Sequence, residues 1–224
     1  MFVVFDIGGS KMRVGSVAGS KLTEVKVEET PQNYEFGIGR LAEMVGKPER
    51  LAGGIAGRWN REKTQLIGSR NLRDWENRQI KKDLEKMSGS EVILENDAVI
   101  GGLGEAKYGA GKNYDIVAYL VFGTGVGGAR IVNKKLDVNY DGFEPGTMIV
   151  DYPQSLEDKV KERNNVEKWL EVAVVNVKAM WSPEIIIIGG GLGLNLELPK
   201  NPMVVKAELG DQAGLWGGLA LLEK

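Results

Sequence analysis

The sequence predicts an α/β protein built from two similar halves. Three observations predict it. An apolar strand, a glycine-rich turn and a second strand occur at residues 2–18 and again at 116–132. Each copy begins a run of strands followed by segments with helical periodicity. The 31 glycines cluster beside apolar segments instead of spreading through polar tracts, as in turns where backbone passes close to something. Two copies of one unit suggest two α/β domains facing a cleft. The break is expected between Gly109 and Asp115, with domains over 1–110 and 111–224, the final helix being a candidate to pack back on the first.

The elements follow in order. "MFVVFDI" is a short apolar run and reads as a buried strand. "KMRVGSVA" and "KLTEVKVEE" are strands, the latter alternating through Leu22, Val25 and Val27 with one slip. "YEFGIGRLAEMVG" places Ile38, Leu41, Ala42 and Val45 at helical spacing, and Gly46 ends it. "RLAGGIAG" returns to strand. "NLRDWENRQIKKDLEKMSG" reads as a charged amphipathic helix with Ile80, Leu84 and Met87 on one face. "EVILEND" is a strand, and "DAVIGGLGEAKYG" a helix of small residues. The second half runs from strand "IVAYLVF" through the turn "GTGVGG" into "ARIVN". A long helix, "NNVEKWLEVAVVNVKAMW", buries Val166, Leu170, Val174 and Val177, and Ser182-Pro183 stops it. "IIIIGGG" is a central strand with a glycine turn, and "DQAGLWGGLALLEK" a final helix capped by Asp211.

Composition narrows the chemistry. The 224 residues carry 42% hydrophobic and 27% charged residues with a net charge of −2, so no global basic field recruits nucleic acid or an anionic membrane. The longest apolar run, Ile185 to Ile188, is far below the ~20 residues a membrane span needs. Asp6 interrupts the apolar start, so no signal peptide is expected. Cysteine and histidine are both absent, which excludes disulfides, thiolate zinc sites and imidazole bases. Proton chemistry would fall on carboxylates, Lys or Tyr, and the cytoplasm is the expected compartment.

A hairpin turn stripped of side chains presents backbone N–H groups as an anion-binding concavity. Ser10, Lys11 and Thr124 would add hydroxyls and a positive charge to the two turns. Each turn alone reads equally as an ordinary hairpin connection. Both together, with a third "GGG" after a fully apolar strand, favour a clamp on a polyphosphate. Neither standard nucleotide motif fits. No segment supplies GxxxxGK[ST], and "GTGVGG" leads into a strand rather than the helix a dinucleotide fold requires.

"FDIGGSKMRVG", "NLRDW", "ENDA…GLGE", "FGTGVGGARI", "IIIIGGG" and "LGDQAGLWGGLALL" together resemble the ROK family (repressor, open reading frame, kinase), in the expected order over most of the chain. The resemblance implies a two-domain actin-like ATPase (ribonuclease H-like) fold, with mixed sheets flanked by helices and an inter-domain cleft. It also implies a glucokinase-like sugar kinase using ATP and Mg²⁺, probing a small-molecule sugar and a nucleotide as ligands, and a homodimer. Repressor members carry an N-terminal helix-turn-helix, for which the hairpin beginning at residue 2 leaves no room.

By the same resemblance, Asp6, Gly8, Gly9, Ser10 and Lys11 hold ATP phosphates with Gly123, Thr124 and Gly125, and Asp6 meets Mg²⁺ through water. Gly189, Gly190 and Gly191 border the adenosine. Asn96 bonds a sugar hydroxyl and Asp97 is the base that activates the acceptor oxygen. Read from the residues alone, Asp97 is a helix cap, although a histidine-free kinase still needs a group to accept the hydroxyl proton. Its loss would lower turnover by about 10²–10⁴.

The sugar side departs from the family pattern. "FEPGT" matches its Glu-x-Gly-His arrangement at Glu144 and Gly146, but Thr147 replaces the histidine. Glu144 is either a sugar contact or a solvated loop acid. The family's cysteine-rich zinc loop is missing, so no zinc is expected, and Glu157 of "YPQSLEDK" takes the place of the sugar-binding acid that follows that loop. Gly57 and Arg58 stand in the sugar-side loop, where Arg58 contacts the sugar or belongs to a solvated turn with Arg61 and Lys63. Asn71 is a sugar contact or a helix cap. The stretch between "GGG" and "LGD" is short, leaving little to cover an adenine. Beside the kinase stand two alternatives: a sugar- or nucleotide-binding module without efficient turnover, and an actin-like ATPase acting on a non-sugar. Trp169, Trp181 and Trp216 are candidates for a dimer interface or for cores.

Overall fold

The computed structural model describes residues 1–137, 139 and 142–223. The chain divides into two compact units, Met1–Ile100 with Gly214–Lys224, and Gly101–Ala213. The division falls ten residues before the expected break at 110.

In the first unit, strands β1 (Phe2–Ile7), β2 (Lys11–Ala18) and β3 (Lys21–Glu29) form an antiparallel meander. The slip expected in β3 is a register shift opposite Gly15 and Val17. Helix α1 (Tyr34–Val45) begins at Asn33, whose side chain accepts from the Phe36 amide at 3.1 Å. Strand β4 (Arg50–Ile55) then pairs parallel with β1, and the short hairpin of β5 (Arg58–Trp59) and β6 (Leu66–Gly68) follows.

The helix expected over residues 71–89 is shorter than the sequence suggests. A 3₁₀ turn spans Arg73–Trp75, and α2 covers only Ile80–Ser88. Trp75 is the reason. It is fully buried, its ring stands edge-on to Tyr34 at 5.4 Å, and its indole N–H donates to the Pro31 carbonyl at 3.3 Å. Anchoring that side chain and bonding the Asn77 amide to the Leu66 carbonyl at 2.8 Å overrides local helix propensity. Strand β7 (Glu91–Glu95) completes a sheet of order β3-β2-β1-β4-β7, and α3 (Asp97–Tyr108) follows it.

The second unit repeats the arrangement. Strands β8 (Ile116–Phe122) and β9 (Val126–Val132) form the second glycine hairpin, with β10 (Lys135–Leu136) at the edge. A 3₁₀ turn at Pro145–Thr147 precedes β11 (Ile149–Asp151), β12 (Gln154–Ser155) and α4 (Leu156–Lys161). Helix α5 (Val166–Trp181) buries Val166, Leu170, Val174 and Val177 as expected from their spacing. Trp169 and Trp181 are core residues too, each 8% exposed. Strands β13 (Ile185–Gly189) and β14 (Val204–Lys206), with α6 (Gly190–Gly193) between them, give the order β10-β9-β8-β13-β14. Each sheet thus joins two antiparallel strand pairs to two parallel ones, in the same sequence order.

The last helix, α7 (Ala213–Leu222), follows a 3₁₀ turn at Gly210–Gln212. Asp211, the residue expected to cap the helix, lies inside that turn, whose own cap position is Leu209 with no side-chain bond. The closing Lys224 of that segment lies outside the described residues. Helix α7 packs on the first sheet, where a Cβ at Gly218 would stand 3.0 Å from Val4. Val3, Phe5 and Ile7 point to the other face and share a core with α1 and α2. Among the described residues, no helix is long and apolar enough to cross a membrane.

Candidate active site

The first glycine turn is closed by the Gly8 amide donating to the Lys11 carbonyl at 2.9 Å. Three bonds from a segment twenty or more residues away hold its backbone. Thr30 donates its hydroxyl to the Gly8 carbonyl at 2.9 Å and its amide to the Ser10 carbonyl at 3.0 Å, while Gln32 donates to the Gly9 carbonyl at 2.9 Å. Ser10 and Lys11 are exposed, and the side chain of Asn71 packs on Gly9, 2.6 Å from where a Cβ would stand. Asn71 is therefore brought to the turn and caps no helix.

Asp6, one residue before the end of β1, stands opposite Arg13, whose Nη1 is 3.8 Å from its Oδ2. A Cβ at Gly214 of α7 would lie 2.5 Å from the Asp6 carboxyl carbon. Among the described residues, no group of three or more acidic side chains could hold a metal ion by itself. A lone carboxylate nevertheless fits Mg²⁺, which keeps most of its waters and takes its other ligands from substrate phosphates.

Asn96 and Asp97 stand where β7 becomes α3. Asn96 caps the helix, its Oδ1 accepting from the Val99 amide at 3.0 Å, and its Nδ2 donates to the Gly57 carbonyl at 2.9 Å. Asp97, half-buried, accepts the Ala98 amide through Oδ1 at 2.9 Å. It is thus the first helical residue, not the cap. Gly54 of β4 admits this corner, because a Cβ there would lie 2.9 Å from the Asp97 Cα and 2.5 Å from Ile100. Beside Asn96, the carboxylate of Glu95 accepts the Asn96 amide at 2.8 Å and pairs with Lys63 at 2.5 Å. Lys63 is therefore tied into this corner, whereas Arg58 is exposed on β5.

These residues share one location. Ile7 pairs with Ile55 and Gly54 with Glu95 in the parallel registers, so the 8–10 turn, the Gly57 loop and the Asn96–Asp97 corner all leave the carboxyl ends of adjacent strands. That edge is where open α/β sheets bind ligands.

The second unit places its glycine turns at the equivalent edge. The Gly123 amide donates to the Gly125 carbonyl at 2.9 Å, with Thr124 exposed at the tip. Val121 of β8 pairs with Gly189 of β13, and Gly190 packs on the Phe122 carbonyl. The Gly123–Gly125 turn and Gly189, Gly190 and Gly191 therefore lie side by side. Gly191 is exposed, and its carbonyl accepts from Asn195 at 2.7 Å.

Glu144 is exposed and precedes the Pro145–Thr147 turn, in which the Thr147 hydroxyl donates to the Glu144 carbonyl at 2.8 Å. Glu157 is buried in the first turn of α4. Its Oε2 accepts the Val126 amide at 3.3 Å and its Oε1 lies 2.6 Å from Lys161. The residues expected to meet one sugar are divided between the units: Gly57, Arg58, Asn71, Asn96 and Asp97 in the first, Glu144 and Glu157 in the second.

The ROK family model matches residues 2–145. The chain is a member of the ROK family. Its α/β fold is that of solved ROK family proteins. A ROK family glucokinase from Streptomyces griseus, solved with glucose and AMPPNP, superposes with a TM-score of 0.82 at 20% identity, over 98% of each chain. An inorganic polyphosphate/ATP-glucomannokinase from Arthrobacter sp. strain KM gives 0.80 at 28% identity, over 100% of this chain and 99% of that one. By sequence, a glucokinase from Thermotoga maritima is 34% identical over 157 residues, 65% of this chain and 50% of the relative. The aligned part thus spans half the length of that protein.

Several residues that support turns and loops of this ROK protein carry no local signal. Thr30 and Gln32 reach the first turn from the far end of β3. Glu105, fully buried on α3, accepts the Ala110 amide at 3.0 Å, the Glu208 amide at 3.1 Å and the Leu209 amide at 2.7 Å. In the sequence it is one acid in "GLGEAKYG", and only its depth in the fold distinguishes it.

Proposed function

We propose that this ROK protein is a sugar kinase that transfers a phosphoryl group from ATP to a hydroxyl of a hexose or N-acetylhexosamine, with Asp97 as general base. The observation that carries the reading is the grouping of the first glycine turn, Asn71, Gly57, Asn96 and Asp97 at one carboxyl edge of the parallel strands. A phosphate-binding backbone and a carboxylate positioned for proton transfer then belong to one rigid sheet.

In this mechanism, Asn96 and the Gly57 loop orient the sugar, with Arg58, Asn71 and Glu144 as further contacts. The Asp97 carboxylate accepts the hydroxyl proton as that oxygen attacks the γ-phosphorus, ADP departs, and the proton passes on to water. With the Gly8 and Gly123 amides closing the two turns, the backbone amides of Gly9, Ser10 and Lys11, and of Thr124 and Gly125, receive the phosphates, and Gly189, Gly190 and Gly191 border the nucleoside. Mg²⁺ held through water at Asp6 would neutralise charge on the donor phosphates. The likeness to ROK glucokinases supports a hexose, and a homodimer in the cytoplasm completes the reading.

A second donor is favoured by a specific feature. Only residues 192–209 separate the glycine turn from the 3₁₀ turn at Gly210, and α6 is four residues long. Little chain is left to enclose an adenine, and the Arthrobacter relative is named for both polyphosphate and ATP. Initial rates with ATP or polyphosphate, against glucose, mannose, N-acetylglucosamine and N-acetylmannosamine, test both readings. Sugar phosphate formed from at least one pair is expected. Absence of product from every pair, with sugar binding retained in calorimetry, would replace the kinase with a binding module.

A further inference from the structure

We propose that Lys63 is a positioning residue for the sugar: through Glu95 it latches the β5–β6 hairpin onto the corner that carries Asn96 and Asp97. The inference rests on the reading of that corner as the sugar site.

The hairpin reaches the corner twice. At its root, Asn96 Nδ2 donates to the Gly57 carbonyl at 2.9 Å. At its tip, Lys63 Nζ lies 2.5 Å from Glu95 Oε1, the oxygen that also accepts the Asn96 amide at 2.8 Å. Two consecutive residues therefore hold the root and the tip of one hairpin. Glu95 closes β7 and is 9% exposed, so its carboxylate has little water to turn to. A carboxylate at that depth calls for a cation. The cation comes from a hairpin tip 32 residues earlier in the chain.

That tip is shaped by its own side chains. Asn60 Oδ1 accepts the amides of Thr64 at 2.8 Å and Gln65 at 3.2 Å, and its Nδ2 donates to the Thr64 hydroxyl at 2.8 Å. The Lys63 amide donates to the Asn60 carbonyl at 3.1 Å. Lys63 itself has φ +52°, a left-handed conformation that glycine adopts without a Cβ penalty and lysine does not. A tip that served only to reverse the chain would be eased by glycine there. Lysine carries the strain and supplies the side chain that reaches Glu95. With the tip docked, the Gly57 carbonyl and the Asn96 side chain are held to one geometry, and small displacements of such groups weaken what they bind.

The test covers wild type, Lys63→Met, Lys63→Arg, Lys63→Gly, Glu95→Gln and the Lys63→Met/Glu95→Gln double variant. Calorimetry reads glucose, mannose, N-acetylglucosamine and N-acetylmannosamine against AMPPNP and tripolyphosphate, beside thermal melts and hydrogen exchange at the Thr64 and Gln65 amides. Lys63→Met is expected to weaken the accepted sugar by about three- to tenfold and to leave the donors unchanged, with faster exchange at both amides. Lys63→Arg should bind sugar as wild type does. Lys63→Gly should lose as much sugar affinity as Lys63→Met yet melt higher, because its backbone is relaxed. A merely structural lysine would instead make affinity follow melting temperature. The double variant should bind sugar no more weakly than Lys63→Met, since the two side chains act as one unit. Unchanged sugar affinity in Lys63→Met, an equal loss for the donors, or additive losses in the double variant overturns the proposal. A wild type that binds none of the four sugars overturns the sugar reading of the corner, and the positioning role with it.

Discussion

The Asn96 side chain bonds in two directions, accepting the Val99 amide at 3.0 Å and donating to the Gly57 carbonyl at 2.9 Å. One residue therefore starts α3 and pins the neighbouring loop. Asn96→Asp keeps the acceptor and removes the donor. Its melting temperature is expected to lie between those of wild type and Asn96→Ala, the latter losing about 1–2 kcal/mol. Both variants should lose sugar affinity, and calorimetry with the accepted sugar checks this.

Asp97 is fixed at the first turn of α3 by its bond to the Ala98 amide. Asp97→Asn preserves shape and removes the proton acceptor. Turnover is expected to fall by about 10²–10⁴ with sugar affinity retained. Turnover equal to wild type would remove Asp97 from the base role.

Gly54 is the close approach that lets α3 start against β4. A side chain at this position meets the Asp97 Cα at 2.9 Å and Ile100 at 2.5 Å. Gly54→Val is expected to cost about 1–3 kcal/mol and to lower kcat, since it displaces Asp97. Denaturant unfolding beside steady-state rates would show the two losses together.

Glu105 is the acceptor for three backbone amides. In Glu105→Gln, the amide nitrogen would face at least one of those N–H donors. A loss of about 1–3 kcal/mol in unfolding free energy is expected, and faster hydrogen exchange at Ala110, Glu208 and Leu209 would locate it.

Asp151 and Lys159 give the second unit a pH-dependent anchor. They pair at 2.8 Å, and Lys159 lies 5.0 Å over the Trp169 ring. The hydrogen bond from Lys159 holds the Asp151 carboxyl below its ordinary range, and the same bond raises Lys159 above its own. The carboxylate's contribution is present above about pH 4 and lost as pH falls through its folded value. That of the ammonium is present below about pH 10 and lost as pH rises through its folded value. Thermal melts should show Asp151→Asn destabilised near neutrality, with the difference from wild type vanishing in acid.

The sequence by itself determined the duplicated strand–turn–strand units, the apolar strands and the long helix. All of these rest on local patterns: alternation or continuity of apolar residues, glycine beside strands, and the spacing of Val166, Leu170, Val174 and Val177. It also carried the family, through ordered motifs. Tertiary structure alone decided what distant segments do to one another. Trp75 cut short a helix because its ring found Tyr34 and Pro31. Thr30 and Gln32 became supports of a turn near residue 9. Glu105 and Glu157 became buried acceptors, whereas Glu144 stayed exposed. The physical reason is that a carboxylate's role depends on its depth and on the amides that surround it, which folding assembles from separate parts of the chain.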